Sequence, residues 1–366
     1  MELLRLHLLN YRNHEALTLE FCSGINGISG PNGAGKTGIL DAVHYLANCK
    51  SYFNGLDAPL MRHGSDFFTL RGIFSSEGRE EEIVIHAPAQ GKKTVKRNGK
   101  TYERLMDHIG LLQTVMIAPN DVELVWGGSE ERRRFIDITL SQTNRHYLES
   151  LVRFRQSLDQ RNALLKALKG KPADAVLFEA IEHRLVPAGS EVCQIRRDFF
   201  REFTPFFEMA YERISGGKER AGLEYVSDLE NNDLQRLLDE NRQKDCVLER
   251  TSRGPHRDDV VFTLNGYPLK RYGSQGQIKS FVLALKVAQY RYFFSKKQQK
   301  PILLLDDIYE KIDEERAQSL MKLVSSGDFG QIIISDTHSE RVRAHVNPGA
   351  IECRFYALDK EGGLII

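Results

Sequence analysis

An α/β fold carrying an inserted helical lobe is predicted by three features of the sequence. A complete G-x-x-x-x-G-K-T loop follows an apolar strand near the N-terminus, two apolar runs near the C-terminus end in acidic residues, and the stretch between turns to helical 3–4 spacing. The 366 residues hold 51 Lys and Arg against 50 Asp and Glu, a net charge of +1, with 41% hydrophobic and 28% charged residues. That composition suits a globular protein of two or three domains. It excludes a tail-driven polycation but not a local basic patch.

The first hundred residues read mostly as antiparallel strand. Leu4, Leu6 and Leu8 alternate with polar neighbours, and Leu17, Leu19 and Phe21 do so after a polar turn. Further strands are predicted at Phe67 to Phe74, at Glu82 to His86 and around Lys93 to Tyr102, where Asn98-Gly99 supplies a type I′ hairpin turn. One strand-loop-helix unit, Ile25 to Asn48, interrupts them.

Two amphipathic helices follow. Tyr147, Leu151, Phe154, Leu158, Leu165 and Leu168 lie on one helical face, as do Phe178, Ile181, Leu185, Ala188, Val192, Ile195 and Phe199. An antiparallel hairpin joined near Gly170-Lys171-Pro172 is expected, with a kink at Pro187 and Gly189. Beyond Thr251, Pro301 to Asp306 and Gln331 to Asp336 read as buried parallel strands with functional C-terminal ends. The predicted head is therefore 1–120 with 251–366, and the helical lobe is 121–250.

Cys22, Cys49, Cys193, Cys246 and Cys353 show no metal-binding spacing and read as cytosolic thiols. No run approaches a membrane span, so a cytoplasmic protein is expected, without a membrane partner.

Gly30-Pro31-Asn32-Gly33-Ala34-Gly35-Lys36-Thr37 lies between a strand and a helix, the context this motif requires. Backbone N–H groups converge there on phosphates, Lys36 reaches the β- and γ-phosphates, and the Thr37 hydroxyl ligates Mg²⁺. An ordinary turn has no need of the Lys-Thr pair. Asp306, at a strand end, is placed to hold Mg²⁺ through its hydration shell, and Asp307 to orient or deprotonate water; their bland alternative is a helix cap. Ser274-Gln275-Gly276-Gln277 opens a helix whose apolar face is Ile278, Phe281, Val282, Leu285 and Ala288. Alone, that four-residue element could be only an N-cap.

Phosphate loop, helical insert, S-x-G-Q element and acidic strand, in this order, resemble the ATP-binding-cassette ATPases and within them the SMC and RecF branch. Asn10 to Asn13, Gly128 to Asp137, Gly254 to Asp259 and Ser274 to Gln277 narrow the resemblance to the RecF recombination mediators, from the first strand to about Ser335. The fold it implies is an ABC-type P-loop ATPase head with an antiparallel β subdomain and an inserted helical lobe, without a long coiled coil. It further implies two heads closing around two ATP molecules. Each nucleotide would lie between the phosphate loop of one copy and the Ser274 to Gln277 signature of the other, with Arg12 and Asn13 nearby. The family's partners would be DNA, RecR, RecO and RecA, and its task the loading of RecA onto gaps coated with single-strand-binding protein, with slow DNA-stimulated ATP hydrolysis.

DNA contacts are expected at Lys92, Lys93, Lys96, Arg97 and Lys100, a hairpin with five cations, or else that hairpin is a solvated edge protected by lysines. Arg132 to Arg134 are expected in partly buried ion pairs with Glu130, Glu131 and Asp137. Lys311-Ile312-Asp313 reads as a loop facing a partner subunit. Asp336-Thr337-His338 offers both an acid and a histidine as a switch residue. The competing reading is a transporter's nucleotide-binding subunit, which would carry L-S-G-G-Q and a Glu after the Mg²⁺ aspartate, where this chain has Ser274-Gln275-Gly276-Gln277 and Asp307.

Overall fold

The computed structural model describes residues 2–76, 78–169, 175–308, 328–344 and 351–365. In chain order, β1 (Glu2–Tyr11) and β2 (His14–Glu20) pair antiparallel, and β3 (Ile25–Ser29) leads into α1 (Lys36–Asn48). Next come β4 (Phe67–Ser76), β5 (Arg79–Pro88), β6 (Thr94–Arg97), β7 (Lys100–Thr101) and β8 (Thr114–Ile117). They are followed by α2 (Glu123–Trp126), α3 (Ser129–Thr143), α4 (Arg145–Leu168), α5 (Ala175–Ser215), β9 (Ala221–Val226) and α6 (Leu234–Leu248). The chain continues with β10 (Asp259–Leu264), β11 (Tyr267–Pro268), α7 (Leu269–Tyr272) and α8 (Gln275–Lys297). It ends with β12 (Ile302–Leu305), β13 (Ile332–Asp336), α9 (Ser339–Ala344), β14 (Cys353–Leu358) and β15 (Leu364–Ile365).

Two compact units result, residues 1–121 with 279–366 and residues 122–278. The first boundary falls where the composition shifts. The second falls at 279 rather than the expected 251, because β10 pairs along its whole length with β9 of the helical unit, Asp259 opposite Val226 and Leu264 opposite Ala221.

The first unit holds an antiparallel sheet, β2-β1-β4-β5-β6-β7, and a mixed sheet, β15-β14-β3-β13-β12-β8. In the mixed sheet β14, β3, β13, β12 and β8 run parallel, so the chain ends after β3, β12 and β13 share one edge. Apolar side chains of β1, β4 and β5 pack on α1, whose residues from Ile39 to Ala47 are all buried. Gln331 stitches the layers together: its amide donates to the carbonyls of Leu3 and Cys22 at 2.7 Å each and accepts from Leu3 N at 2.8 Å. Leu6 and Leu8 face the core as the alternation predicts, but Leu3 is buried in place of Leu4. A register shift against β4 between Leu3 and Arg5 moves the first core residue by one. The hairpin turn is as expected, with Asn98 and Gly99 at φ 49° and 79°.

In the second unit α4 and α5 pack antiparallel, early residues of one meeting late residues of the other: Tyr147 with Arg196, Arg161 with Glu182. The joint expected at 170–172 lies outside the described residues, as does 311–313. α5 is one helix through Pro187, Gly189 and Pro205, and it runs sixteen residues beyond Phe199, to Ser215. Gly189 serves close packing, since a Cβ there would lie 2.6 Å from Leu234 Cδ2 and 3.0 Å from Phe154. Among the described residues no helix is long and apolar enough to cross a membrane.

Candidate functional site

The phosphate loop leaves β3 at Ser29 and enters α1 at Lys36. Gly33 and Gly35 have φ of 86° and 89°, the left-handed region where a side chain strains the backbone. Gly35 is doubly required, because a Cβ would meet the His14 ring at 2.4 Å. His14, only 3% exposed, lies under the loop with Nε2 3.2 Å from Gly35 O, and burial lowers its pKa. Asn13 supports the loop from β2's approach, donating through Nδ2 to Gly33 O at 2.7 Å.

Lys36 is buried, and its ammonium donates to Gly30 O at 2.8 Å and Pro31 O at 3.1 Å. An ammonium has three protons, so one donor remains for an anion.

Thr37 Oγ1 donates to Asp306, 3.0 and 3.1 Å from its two oxygens. β3 and β12 are separated by β13, and it is Ser335 of β13 that closes the gap. Its hydroxyl donates to Asp306 Oδ1 at 2.7 Å and accepts from Asp307 N at 3.0 Å. Burial pushes the Asp306 carboxyl up to about 6, the adjacent Asp307 charge adds to this, and the Ser335 and Thr37 hydroxyls oppose it. Asp307 sits at φ 41°, left-handed for a residue with a side chain, a strain of the kind stored at working sites. A hydroxyl and a buried carboxylate are hard oxygen donors, so Thr37 and Asp306 fit a Mg²⁺ that keeps most of its waters.

Arg12 reaches this region on a buried anchor. Asp41 of α1, fully buried, accepts from Arg12 at 2.5 Å, Tyr11 OH at 2.9 Å, Ser51 Oγ at 2.8 Å and Tyr52 N at 2.8 Å. The Arg12 guanidinium also lies 5.6 Å from the Phe53 ring centre. Tyr52 packs deeper, its hydroxyl bonded to Asp121 and to Lys286 of α8. Sequence reasoning missed Asp41, His14 and Ser335. An acid on the apolar face of α1, between Leu40 and Ala42, was the legible signal for the first of these.

Ser274 and Gln277 form a reciprocal capping box at the start of α8: Ser274 N donates to Gln277 Oε1 at 2.7 Å, and Gln277 N to Ser274 Oγ at 3.2 Å. Ser274 and Gln275 are exposed, with Gly276 half-buried beside them. Asp336 is buried and accepts from His338 N at 2.6 Å, while the exposed His338 ring meets Thr337 Oγ1 at 2.9 Å.

The basic hairpin divides. Lys93 is held by Tyr45 OH at 2.8 Å, Cys49 O at 2.7 Å and Asp57 at 2.9 Å, and Arg97 grips Glu81 with two bonds of 2.6 Å. Lys92, Lys96 and Lys100 are exposed. Arg132 and Arg133 are partly buried as expected, but they bind Asp259 and the Asp258 carbonyl, while Asp137 pairs with Arg155 and Arg196.

The family model described as "RecF/RecN/SMC N terminal domain" matches residues 2–351. "DNA replication and repair protein RecF" of Bacteroides fragilis is 43% identical over 343 residues, 93% of this chain and 92% of the relative. This chain belongs to the RecF family. The RecF protein of Parabacteroides distasonis is likewise 43% identical, covering 92% of both chains. Among solved structures, a RecF–ATP complex described as a recombination mediator of the RecFOR pathway superposes with a TM-score of 0.90 at 26% identity, covering 100% of this chain and 97% of the other. A Pyrococcus furiosus Smc head shares the fold alone, with a TM-score of 0.59 at 15% identity. The RecF family thus accounts for the ATPase-head architecture, and the described helices include no long coiled-coil arm.

Proposed function

We propose that this chain is an ATP-dependent DNA-binding protein of recombinational repair and replication. Two copies close on double-stranded or gapped DNA when ATP is bound, and they reopen on slow, DNA-stimulated hydrolysis to ADP and phosphate. The carrying observation is the hydrogen-bonded line Thr37–Asp306–Ser335–Asp307 beside a buried lysine with a donor to spare.

Each residue then has a task. The backbone of Gly30 to Thr37 cradles phosphates, and Lys36 neutralises them. Thr37 and Asp306 hold Mg²⁺, which when bound offsets phosphate charge. Asp307 orients or deprotonates the attacking water, its backbone fixed by Ser335. Arg12 and Asn13 flank the nucleotide, and the exposed Ser274 to Gln277 turn serves the nucleotide of the other copy. Family membership supports a place with RecR and RecO upstream of RecA, at gaps coated with single-strand-binding protein.

Lys36→Met is expected to abolish nucleotide binding or the DNA-dependent dimer, and Asp307→Asn to give a dimer that retains DNA with ATP. Sedimentation on gapped duplex decides: a wild-type protein that stays monomeric there with ATP sinks the reading. If the hairpin meets DNA, each of Lys92, Lys96 and Lys100 changed to Ala lowers the salt slope of binding by about one phosphate contact.

A further inference from the structure

The three-stranded sheet of the helical unit, β11-β10-β9, ends in an uncovered edge at β9. Which backbone groups lie on that edge follows from one bond. Asn265 N donates to Arg220 O at 2.7 Å, so this pair is joined across the ladder, and antiparallel strands alternate such pairs with unjoined ones. In the register that sets Leu264 opposite Ala221, Gly222 and Glu224 then turn their N–H and C=O toward β10, whereas Leu223 and Tyr225 turn theirs outward. There they meet no partner among the described residues.

A groove of about 510 Å³ runs along this edge, with Leu223 and Tyr225 as its wall and Arg197, Phe200, Arg201 and Pro205 of α5 as its floor. From Arg197 to Pro205 the helix rises about 12 Å, the length of about four strand residues. The wall is tied to the floor by the Phe200 ring, which stacks on Tyr225 at 5.3 Å and 13°. Pro205 has no N–H, so the Arg201 carbonyl lacks its usual helical donor. The half-buried Arg197 guanidinium is bonded to neutral groups alone, Gln194 Oε1 at 3.2 Å and Leu229 O at 3.1 Å, and Arg201 meets only the exposed Asp198, at 3.2 Å. Of the acids at the rim, Glu224 alternates to the other face of the sheet, and the exposed Glu230 pairs with neither arginine.

We propose that this edge takes up an extended segment of a partner protein as a fourth strand beside β9. An acidic side chain of that segment lies on Arg197, and an apolar one two positions along lies on the Phe200 ring. The outward N–H and C=O of Leu223 and Tyr225 supply the ladder bonds, which hold any extended backbone, and the floor selects the side chains that alternate toward it. Charge complementarity carries the choice of an acid, because Arg197 is served by dipoles and keeps its full charge for a carboxylate. The site lies wholly within the helical unit and does not depend on nucleotide or on a second copy.

The probe is a fluorescein-labelled Thr-Asp-Thr-Leu-Thr peptide, followed by anisotropy with the full-length protein. Saturable binding below about 1 mM is expected, at least fivefold tighter than for Thr-Asn-Thr-Leu-Thr; no binding, or no preference for the acid, overturns the proposal. Two N-methylated peptides test strand addition, one blocked at the Asp and Leu amides and the other at the three Thr amides. One should lose binding and the other keep it, since only alternate amides face β9. Loss of both or of neither overturns it. Arg197→Glu should weaken the Asp peptide about tenfold and favour Thr-Lys-Thr-Leu-Thr instead, a reversal that misfolding cannot produce. Leu223→Pro removes an outward N–H and leaves the bonds to β10 whole, so it should weaken both peptides alike. Displacement of the Asp peptide by a duplex oligonucleotide, with DNA binding lost in Arg197→Glu, would make the groove a phosphate site and overturn the proposal. A dimer formed without ATP and lost in Leu223→Pro would make the occupant a second copy and overturn it as well.

Discussion

Arg161 in the helical unit and Asp306 beside the phosphate loop are both buried ions, but their neighbours differ in kind. Arg161 faces Glu182 at 2.9 Å and Asp245 at 2.7 Å, and Arg196 in the same unit faces Asp137 and Asp258 at 2.8 Å each. Each guanidinium is thus matched by two carboxylates. Asp306 is held by the hydroxyls of Thr37 and Ser335, and Lys36 by the carbonyls of Gly30 and Pro31. Neutral dipoles make the hydrogen bonds to these ions, and Lys36 and Asp306 offset each other only through their longer-range attraction. Burial of charge alone therefore does not mark function. A buried ion served by dipoles has electrostatic work left for a ligand, whereas one served by counter-ions has none.

The most severe way to break this comparison is Arg161→Met, which leaves Asp245 buried without its cation and Glu182 with Arg242 alone, at 3.3 Å. A loss of about 3–5 kcal/mol is expected in urea unfolding. A loss under about 1 kcal/mol would mean that the cluster is not closed in the sense used above.

Asp306→Asn should go the other way. A carboxyl whose folded pKa is raised, from the ordinary 3.8 to about 6, binds its proton more tightly when folded. Stability is then lost as pH rises through that window, and at pH 7.5 the carboxylate carries the full cost. The amide removes it, so the ligand-free variant should gain roughly 2–3 kcal/mol in unfolding at that pH. Mg²⁺-dependent nucleotide binding should fall in the same variant, which isothermal titration would read.

His256 sharpens the contrast through acid. It is held against Thr251 O at 3.0 Å, and burial, with Arg257 and Arg133 adding to it, pushes its pKa down to about 4. Below pH 6.5 the unfolded chain takes up a proton that the folded chain refuses until about 4, so stability falls on acidification through that window. Between pH 7 and 5, His256→Gln should reduce the wild-type loss by about 1–2 kcal/mol, seen in chemical unfolding at the two pH values. An unchanged loss would assign the acid sensitivity to other groups.

Much of the candidate site was legible in the sequence because its residues lie close together in the chain. Eight consecutive residues make the phosphate loop, and Ser274 and Gln277 cap their helix across three positions. Non-local partners were not legible. The helical spacing skips from Leu158 to Leu165, and the residue buried in that gap is Arg161, which looks like a surface charge because its acids lie on α5 and near the end of α6. Lys93 and Lys92 are adjacent and alike in sequence, yet one is locked between Tyr45, Cys49 and Asp57 and the other is exposed. Both precede β6 in the segment that follows β5, and only the folding of that segment against α1 and Asp57 decides which of them is held.

By itself, the sequence determined the phosphate loop, the acidic strand after Pro301, the hairpin turn at Asn98-Gly99 and the helical period of α4 and α5. Each of these is written within a few residues or in one repeating interval. Tertiary structure alone decided that Ser335 bridges Thr37's partner to Asp307, that His14 supports Gly35, and that residues 251–278 fold with the helical unit. Those outcomes depend on which strands become neighbours. β13 inserts between β3 and β12, and β10 pairs with β9, through hydrogen bonds whose partners are far apart in the chain and leave no local mark on it.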